Sequence, residues 1–225
     1  LLQFWNRWAP RRWRTPPAKH WATLHGSRNV ILEGAQDIFH GGDFRGKATA
    51  GLHERLRKGE VLYGEIVGFS HGTTPIMGAH DLGQLRDKEL SKRFPSPMVY
   101  RYGEPVGNAK FYVYRIVQTT EDGDQVELSW AAVKQRCQHL GVAHVPELAA
   151  FIGEPPCTGM TLLEYADSLG EGASTLDAAH IREGVCVRVE SAAGTVVLKH
   201  KSFTFGVLEG YLKDVEDAID AEEAA

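Results

Sequence analysis

The stretch EGVCVRVESAAGTVVLKHKS, residues 183–202, decides how the C-terminal part of the chain folds. Two valine-rich runs flank a small-residue turn at residues 191–194, which predicts a β-hairpin. Side chains alternate between the faces of a strand, so Lys199 and Lys201 point one way and His200 the other. Two ammonium groups about 7 Å apart repel each other unless an anion lies between them. The hairpin therefore indicates either an anion site or a solvated edge strand protected by lysines.

Composition is that of an ordinary globular protein. The 225 residues are 43% hydrophobic and 24% charged, enough for one large domain or two small ones. The net charge of −4 hides an asymmetry, because the first 32 residues carry six basic residues and no acid, whereas seven acids follow from Glu209 onward. The sequence contains no run of about 18 apolar residues, so it predicts no membrane span. Three scattered cysteines argue against a disulfide framework and a zinc site, so we expect a cytoplasmic protein.

The periodicities predict an α+β fold built on antiparallel sheets. Residues 70–108 are rich in Gly, Pro and His and are expected to form loops with an exposed insertion. Regular strand–helix alternation is missing, which argues against a doubly wound sheet. The expected strands are 60–68, 110–117 and 125–128, and the expected helices are 48–58, 130–140 and the acidic C-terminus.

Two segments carry candidate polar binding residues. Glu65 lies within the apolar strand LYGEIVG, where a carboxylate is costly to bury without partners. Gly64 beside it would let a ligand approach the backbone closely. Arg28, in the polar turn HGSRN, can grip a phosphate with two parallel hydrogen bonds. The alternatives are an edge carboxylate that faces water and an ordinary surface arginine.

The segment FYVYRI is the candidate base-binding strand. Alternation predicts that Tyr112 and Tyr114 share one face and that Arg115 lies on the other, with Phe111 and Val113. A pair of tyrosines that faces a pocket can stack on a flat base, at about 1–3 kcal/mol per base. The alternative is that both rings belong to the core.

The order of these motifs resembles the ATP-dependent RNA ligase family, one of the covalent nucleotidyltransferases, which also include DNA ligases and mRNA capping enzymes. The segments SRN, YGEIVG, FYVYRI, EGVCVR, LKHKS and EGY follow one another between about residue 22 and residue 211. The resemblance implies an ATP-grasp-like nucleotidyltransferase domain of antiparallel sheets flanked by helices. It also implies the family's reaction, in which AMP passes from ATP to a lysine and then to an RNA 5′-phosphate, before an RNA 3′-hydroxyl attacks and seals the ends.

The resemblance also implies a role for each nucleotide-binding residue. Arg28 would contact a phosphate or the ribose, and Glu65 would accept a hydrogen bond from the ribose hydroxyls. Tyr114 would stack on adenine, with Tyr112 beside it in the same binding site.

The same resemblance implies the catalytic residues. Glu183 would hold Mg2+ directly or through water, while Lys199 and Lys201 would grip the α-phosphate and favour the release of pyrophosphate. The paired lysines of the hairpin then have their anion, because nucleotidyl transfer depends on cations placed where negative charge develops.

The chain departs from the family's pattern at two places. An acid usually follows the stacking aromatic residue, and here that position is Arg115. The family's nucleophile is a lysine in a Lys-x-x-Gly motif, yet none of the ten lysines is followed by glycine three residues on, and only Lys19 precedes Arg28. Either the sequence starts after the motif, or the chain is a degenerate homologue that binds nucleotide or RNA without ligating.

We therefore expect a single nucleotidyltransferase domain over residues 1–225, incomplete at its N-terminus. Its parts would be a basic, Trp-rich connecting segment (1–21), a motif-bearing core (22–211) and an acidic helix (212–225). The expected function is that of an ATP-dependent RNA ligase that uses Mg2+ and joins RNA ends. The alternatives are an inactive relative that binds nucleotide or RNA ends, and a DNA ligase or capping-type enzyme.

Overall fold

The computed structural model describes residues 22–27, 31–32, 43–85, 88–210 and 212. The predictions for residues 1–21, for Arg28 and for the acidic tail beyond residue 212 lie outside the described residues. The strands are β1 (His25–Gly26), β2 (Ile31–Leu32), β3 (Glu60–His71), β4 (Thr74–Pro75), β5 (Ala109–Thr119), β6 (Gln125–Glu127), β7 (Ala143–His144), β8 (Gly184–Ser191) and β9 (Gly194–Lys201). The α-helices are α1 (Phe44–Ala48), α2 (Lys88–Arg93), α3 (Trp130–Leu140), α4 (Leu162–Gly170) and α5 (Phe203–Leu208), and a short 3-10 helix spans Leu82–Gln84.

A central sheet is built on the long antiparallel pair β3–β5. The strand order is β4-β3-β5-β6, and β7 pairs with β5 in parallel. The two long strands confirm the predictions for 60–68 and 110–117. One face of this sheet packs against α3 through four fully buried side chains, Val113, Ile116, Val133 and Cys137.

Helix α3 has the bounds that its capping residues predict. The Ser129 side chain accepts a hydrogen bond from the Ala132 N–H, and Gly141 ends the helix in the left-handed conformation at φ 66°. Arg136 fixes the helix to β3, because its guanidinium makes two 2.7 Å hydrogen bonds to the carboxylate of Glu60. The Glu60 side chain is only 2% exposed, so the pair is a buried tie between helix and sheet.

The helix predicted over residues 48–58 is wrong. Helix α1 ends at Ala48, where the Thr49 hydroxyl donates to the carbonyl of Arg45 at 2.8 Å. Gly51 follows with φ 73°, a left-handed conformation that terminates helical repeats, and turns continue from there to β3. The leucines of this segment have helical spacing, but the backbone turns at Gly51 before a helix can extend through them.

The description of residues 70–108 as an exposed insertion is also wrong. The segment supplies more than half of a second hydrophobic core, formed by Leu82, Leu85, Phe94, Met98, Tyr100, Ile181, Phe205 and Leu208. These residues come from two segments, 82–100 and 181–208, that are distant in the chain, so only the tertiary fold brings them together. The core attaches the 80–102 region to the start of the hairpin and to α5.

Strands β8 and β9 form the predicted hairpin. Cys186 lies opposite Lys199, and Gly184 lies opposite Lys201. His200 projects to the other face, where its Nε2 lies 2.6 Å from a carboxylate oxygen of Asp167 on α4. Among the described helices, none is long and apolar enough to cross a membrane.

Candidate nucleotide site

The inner face of the hairpin is turned toward the central sheet. Arg188 on β8 lies 3.0 Å from a carboxylate oxygen of Glu127 at the end of β6, and it donates to the carbonyl of Leu128 at 2.8 Å. Glu190 accepts a 2.6 Å hydrogen bond from the Trp130 N–H. These contacts hold the face that carries Cys186 and the two lysines over the face of β3 and β5 that is remote from α3. We call the space between them the cleft.

Four charged side chains lie close enough to the thiol of Cys186 to act on its charge, and one of them, Lys199, lies opposite Cys186 in the hairpin. Burial is the largest cause that raises the pKa of Cys186, and the charges of Glu65 and Glu183 raise it further. The charges of Lys199 and Lys201 act on the same thiol in the opposite direction. Neighbouring atoms partly screen the thiol from water, yet the residue remains exposed at the rim, so these groups meet in a region open to a ligand. The structure thus brings the four predicted residues together, while the roles assigned to them stay predictions.

Lys201 has two partners in the cleft. Its ammonium nitrogen lies 3.5 Å from one carboxylate oxygen of Glu183 and 4.2 Å from the centre of the Phe205 ring. The Lys201 side chain remains 47% exposed, so the ion pair is weak and the ammonium group can turn to a ligand anion. Gly184, at φ 140°, lets the two strands close here, because a Cβ at this position would lie 2.1 Å from the carbonyl oxygen of His200.

Glu65 reaches the cleft from β3, and its pairing partner on β5 is Tyr112. The interpretation of Gly64 as a point of ligand approach is wrong. A Cβ on Gly64 would lie 2.4 Å from both the Phe111 ring and the Tyr112 carbonyl oxygen, so the glycine accommodates the neighbouring strand.

The prediction that Arg115 lies on the face opposite Tyr112 is wrong, because β5 contains a bulge. Arg115 pairs with Tyr63 and Val113 with Gly64, the next residue of β3, so the register shifts by one residue at Tyr114. Arg115 therefore lies on the Tyr112 side of the sheet. Tyr112 is 7% exposed, whereas Tyr114 is 40% exposed at the bulge.

Arg115, which the resemblance places where the family usually has an acid, is neutralised by a neighbouring strand. Its Nε lies 2.6 Å from a carboxylate oxygen of Glu127, and its guanidinium lies 5.0 Å from the centre of the Tyr63 ring. Glu127 also pairs with Arg188 of the hairpin. The departure from the family pattern is therefore built into the contact between the sheet and the hairpin.

Sequence reasoning missed the residues behind Glu183. The hydroxyl of Tyr102 donates a hydrogen bond to the Glu183 carboxylate, and the Tyr102 ring packs edge-on against His180. Both aromatic residues lie outside the quoted motifs. The sequence signal that could have found His180 is its position three residues before Glu183, whereas no local pattern marks Tyr102.

Comparison with known proteins identifies a family for this chain. The family model described as RNA ligase matches residues 5–201, which include every candidate residue discussed above. No curated protein and no solved structure matches the chain.

Proposed function

Because the chain belongs to the RNA ligase family, we propose that it binds ATP with Mg2+ in the cleft and acts in the joining of RNA ends. The observation that carries the proposal is the meeting of Lys199, Lys201, Glu65 and Glu183 around the thiol of Cys186. Two cations and two carboxylates in one open cleft suit a ligand that is both anionic and rich in hydroxyl groups. A nucleoside triphosphate has both properties.

The two lysines are proposed to bind the α-phosphate. They lie two residues apart on one strand and face the same cleft, so a phosphate between them would relieve their mutual repulsion. Cations at this place also stabilise the charge that develops on the oxygens of the transferred phosphoryl group and on departing pyrophosphate.

The carboxylates fit a magnesium ion that arrives with phosphate. In the described part of the chain, no group of three or more His, Cys, Asp or Glu residues forms a metal cage. Mg2+ commonly keeps several waters and is bound by one or two carboxylates together with substrate phosphates, so Glu183 alone is a sufficient protein ligand. The ion would supply charge neutralisation at the phosphates.

The remaining contacts are proposed from the positions of the side chains. Glu65 accepts hydrogen bonds from the ribose hydroxyls, and Arg28, outside the described residues, contacts phosphate or ribose. Tyr114 is the proposed stacking ring for adenine, since it is 40% exposed, and Tyr112 forms the floor beside Glu65.

The position expected for the nucleophile is proposed to be Thr23. The segment Thr23-Leu24-His25-Gly26 lies directly before Ser27 with the spacing of the Lys-x-x-Gly motif, and it falls inside the family match. His25 fixes this segment to the end of α1 through a 2.8 Å contact between its Nε2 and the Thr49 hydroxyl. A threonine has no amine to attack the α-phosphorus, so pyrophosphate is not displaced by this residue.

Thr23 favours a second candidate function within the same family. Sealing needs no lysine nucleophile when AMP is already attached to the RNA 5′-phosphate. The 3′-hydroxyl oxygen attacks that phosphate and its proton passes to water, while the bond to AMP breaks and AMP leaves with the electron pair. The chain would then seal ends that another enzyme has adenylated, or hold such ends without sealing them.

Labelling and sealing assays test both candidates. With ATP labelled at the α-phosphate, we expect no covalent adduct on the wild-type chain, and an adduct on Thr23→Lys that disappears when Lys201→Ala is added. With 5′-adenylated RNA and no ATP, we expect the wild type to seal and Lys201→Ala to fail. Preference for GTP or for DNA ends would instead indicate a capping-type enzyme or a DNA ligase. Absence of the adduct on Thr23→Lys together with absence of sealing would overturn the proposal.

A further inference from the structure

Tyr102 lies directly behind the carboxylate proposed to hold magnesium. Its hydroxyl donates to Oε1 of Glu183, although the two residues are 81 positions apart in the chain. The other carboxylate oxygen, Oε2, lies 3.5 Å from the ammonium group of Lys201. One oxygen of Glu183 is therefore held by the protein, and the other is presented at the cleft.

The backbone at Tyr102 is strained. With φ 54°, Tyr102 has the left-handed conformation, which no other non-glycine residue adopts in the described part of the chain. Such a conformation is unfavourable for a residue with a Cβ and persists where the surroundings enforce it, often at functional sites. Gly103, also left-handed at φ 80°, donates its N–H to Asp177 at 3.2 Å. Asp177 also accepts a 3.0 Å bond from the Ala179 N–H, so it holds the loop in place.

The Tyr102 ring is immobilised by aromatic neighbours. The centre of the His180 ring lies 4.6 Å away at an interplanar angle of 72°, and that of Tyr100 lies 6.2 Å away. His180 is completely buried, and its Nδ1 contacts the Ile181 carbonyl at 2.9 Å. The hydroxyl of Tyr102 therefore occupies a fixed position relative to β8.

The direction of this hydrogen bond follows from the two groups. An ionised carboxylate has only acceptor oxygens, so the Tyr102 hydroxyl is the donor and Glu183 accepts from it.

We propose that Tyr102 is a positioning residue that orients Glu183 toward the magnesium ion bound with ATP. This inference rests on the proposed function, because it needs an ATP site in the cleft. The fixed donor on Oε1 removes rotational freedom from the carboxylate, so Oε2, which lies 3.5 Å from the half-exposed ammonium group of Lys201, faces the cleft where the cation would bind. The strained turn at Tyr102 is explained by this task, since a relaxed backbone would carry the hydroxyl to another place.

The test measures ATP binding to the full chain by calorimetry, with Mg2+ and with EDTA. Partners behind a metal ligand commonly contribute about 10- to 100-fold to metal affinity. We expect Tyr102→Phe to reduce the Mg2+-dependent gain in ATP affinity by about tenfold or more, and to leave the affinity in EDTA unchanged. A purely structural role would weaken binding in both conditions.

Tyr100→Phe is the matched control. It also removes one hydroxyl from the same aromatic cluster, but that hydroxyl contacts Nδ1 of His80 at 3.2 Å, whereas the Tyr102 hydroxyl donates to Glu183. We expect this variant to keep the full Mg2+ effect. Circular dichroism of both variants checks that the fold is retained.

The outcomes separate this inference from the proposed function. If the wild type gains affinity with Mg2+ and Glu183→Gln loses that gain, whereas Tyr102→Phe keeps it, the positioning role is wrong and the nucleotide site stands. Equal losses in Tyr102→Phe and Tyr100→Phe would likewise overturn the positioning role. If the wild type binds no ATP in either condition, both the site and the positioning role are wrong.

Discussion

Cys186 is a chemical reporter for the proposed nucleotide site. Its thiol is exposed at the rim of the cleft, and its pKa responds to Lys199, Lys201, Glu65 and Glu183. A nucleotide bound among these groups would cover the thiol. We therefore predict that Mg2+ and ATP slow the alkylation of Cys186 by iodoacetamide.

The magnitude follows from occupancy. At an ATP concentration ten times its Kd, about one cleft in eleven is empty at any moment, so the rate of alkylation should fall about tenfold. The unliganded thiol also reacts slowly below its raised pKa, because the thiolate is the reactive form. Lys199→Gln removes a charge that lowers this pKa, so it should slow the reaction without ATP and weaken the protection by ATP.

The chain contains its own controls for this assay. Cys157 is exposed and should react at the same rate with and without ATP, whereas Cys137 is completely buried and should react slowest. Mass spectrometry of the peptides separates the three thiols. If saturating ATP changes the rate at Cys186 by less than about twofold, or slows Cys157 equally, the cleft is not the nucleotide site.

Three further predictions concern the scaffold. Glu60→Ala should lower the free energy of unfolding by about 3–5 kcal/mol in urea titrations, because it strands the guanidinium of Arg136, and a smaller loss in Glu60→Leu combined with Arg136→Leu would match this reasoning. Burial lowers the pKa of His180 in the folded chain, so as the pH falls the unfolded chain takes up the proton at a higher pH than the folded one does. The free energy of unfolding should therefore fall by up to about 1.4 kcal/mol per pH unit below about pH 6.5, and this slope should be absent in His180→Gln. Gly184→Ala should lower the melting temperature more than Gly194→Ala, since both have positive φ but only the former places its Cβ against a strand; equal losses would contradict this.

Contacts between distant segments decided the functional details. Tyr102 and Glu183 meet across 81 positions, and the loop that carries Tyr102 belongs to a core completed by α5. The bulge at Tyr114 arises in the pairing of β5 with β3, and it reversed the predicted side of Arg115. Neither result follows from periodicity, because a register shift depends on how two strands pair.

Local patterns determined the elements that the sequence alone could predict. Strand alternation predicted that Lys199 and Lys201 lie on one face of the hairpin. The glycine at position 141 predicted the end of α3, because glycine readily adopts the left-handed conformation that ends a helix. Strand alternation and helix capping depend on residues a few positions apart, so both can be predicted from the sequence alone. The cleft, in contrast, depends on which faces of the two sheets oppose each other. The ion pair of Arg188 with Glu127 joins these sheets, and such long-range burial and charge pairing cannot be deduced from local sequence preference.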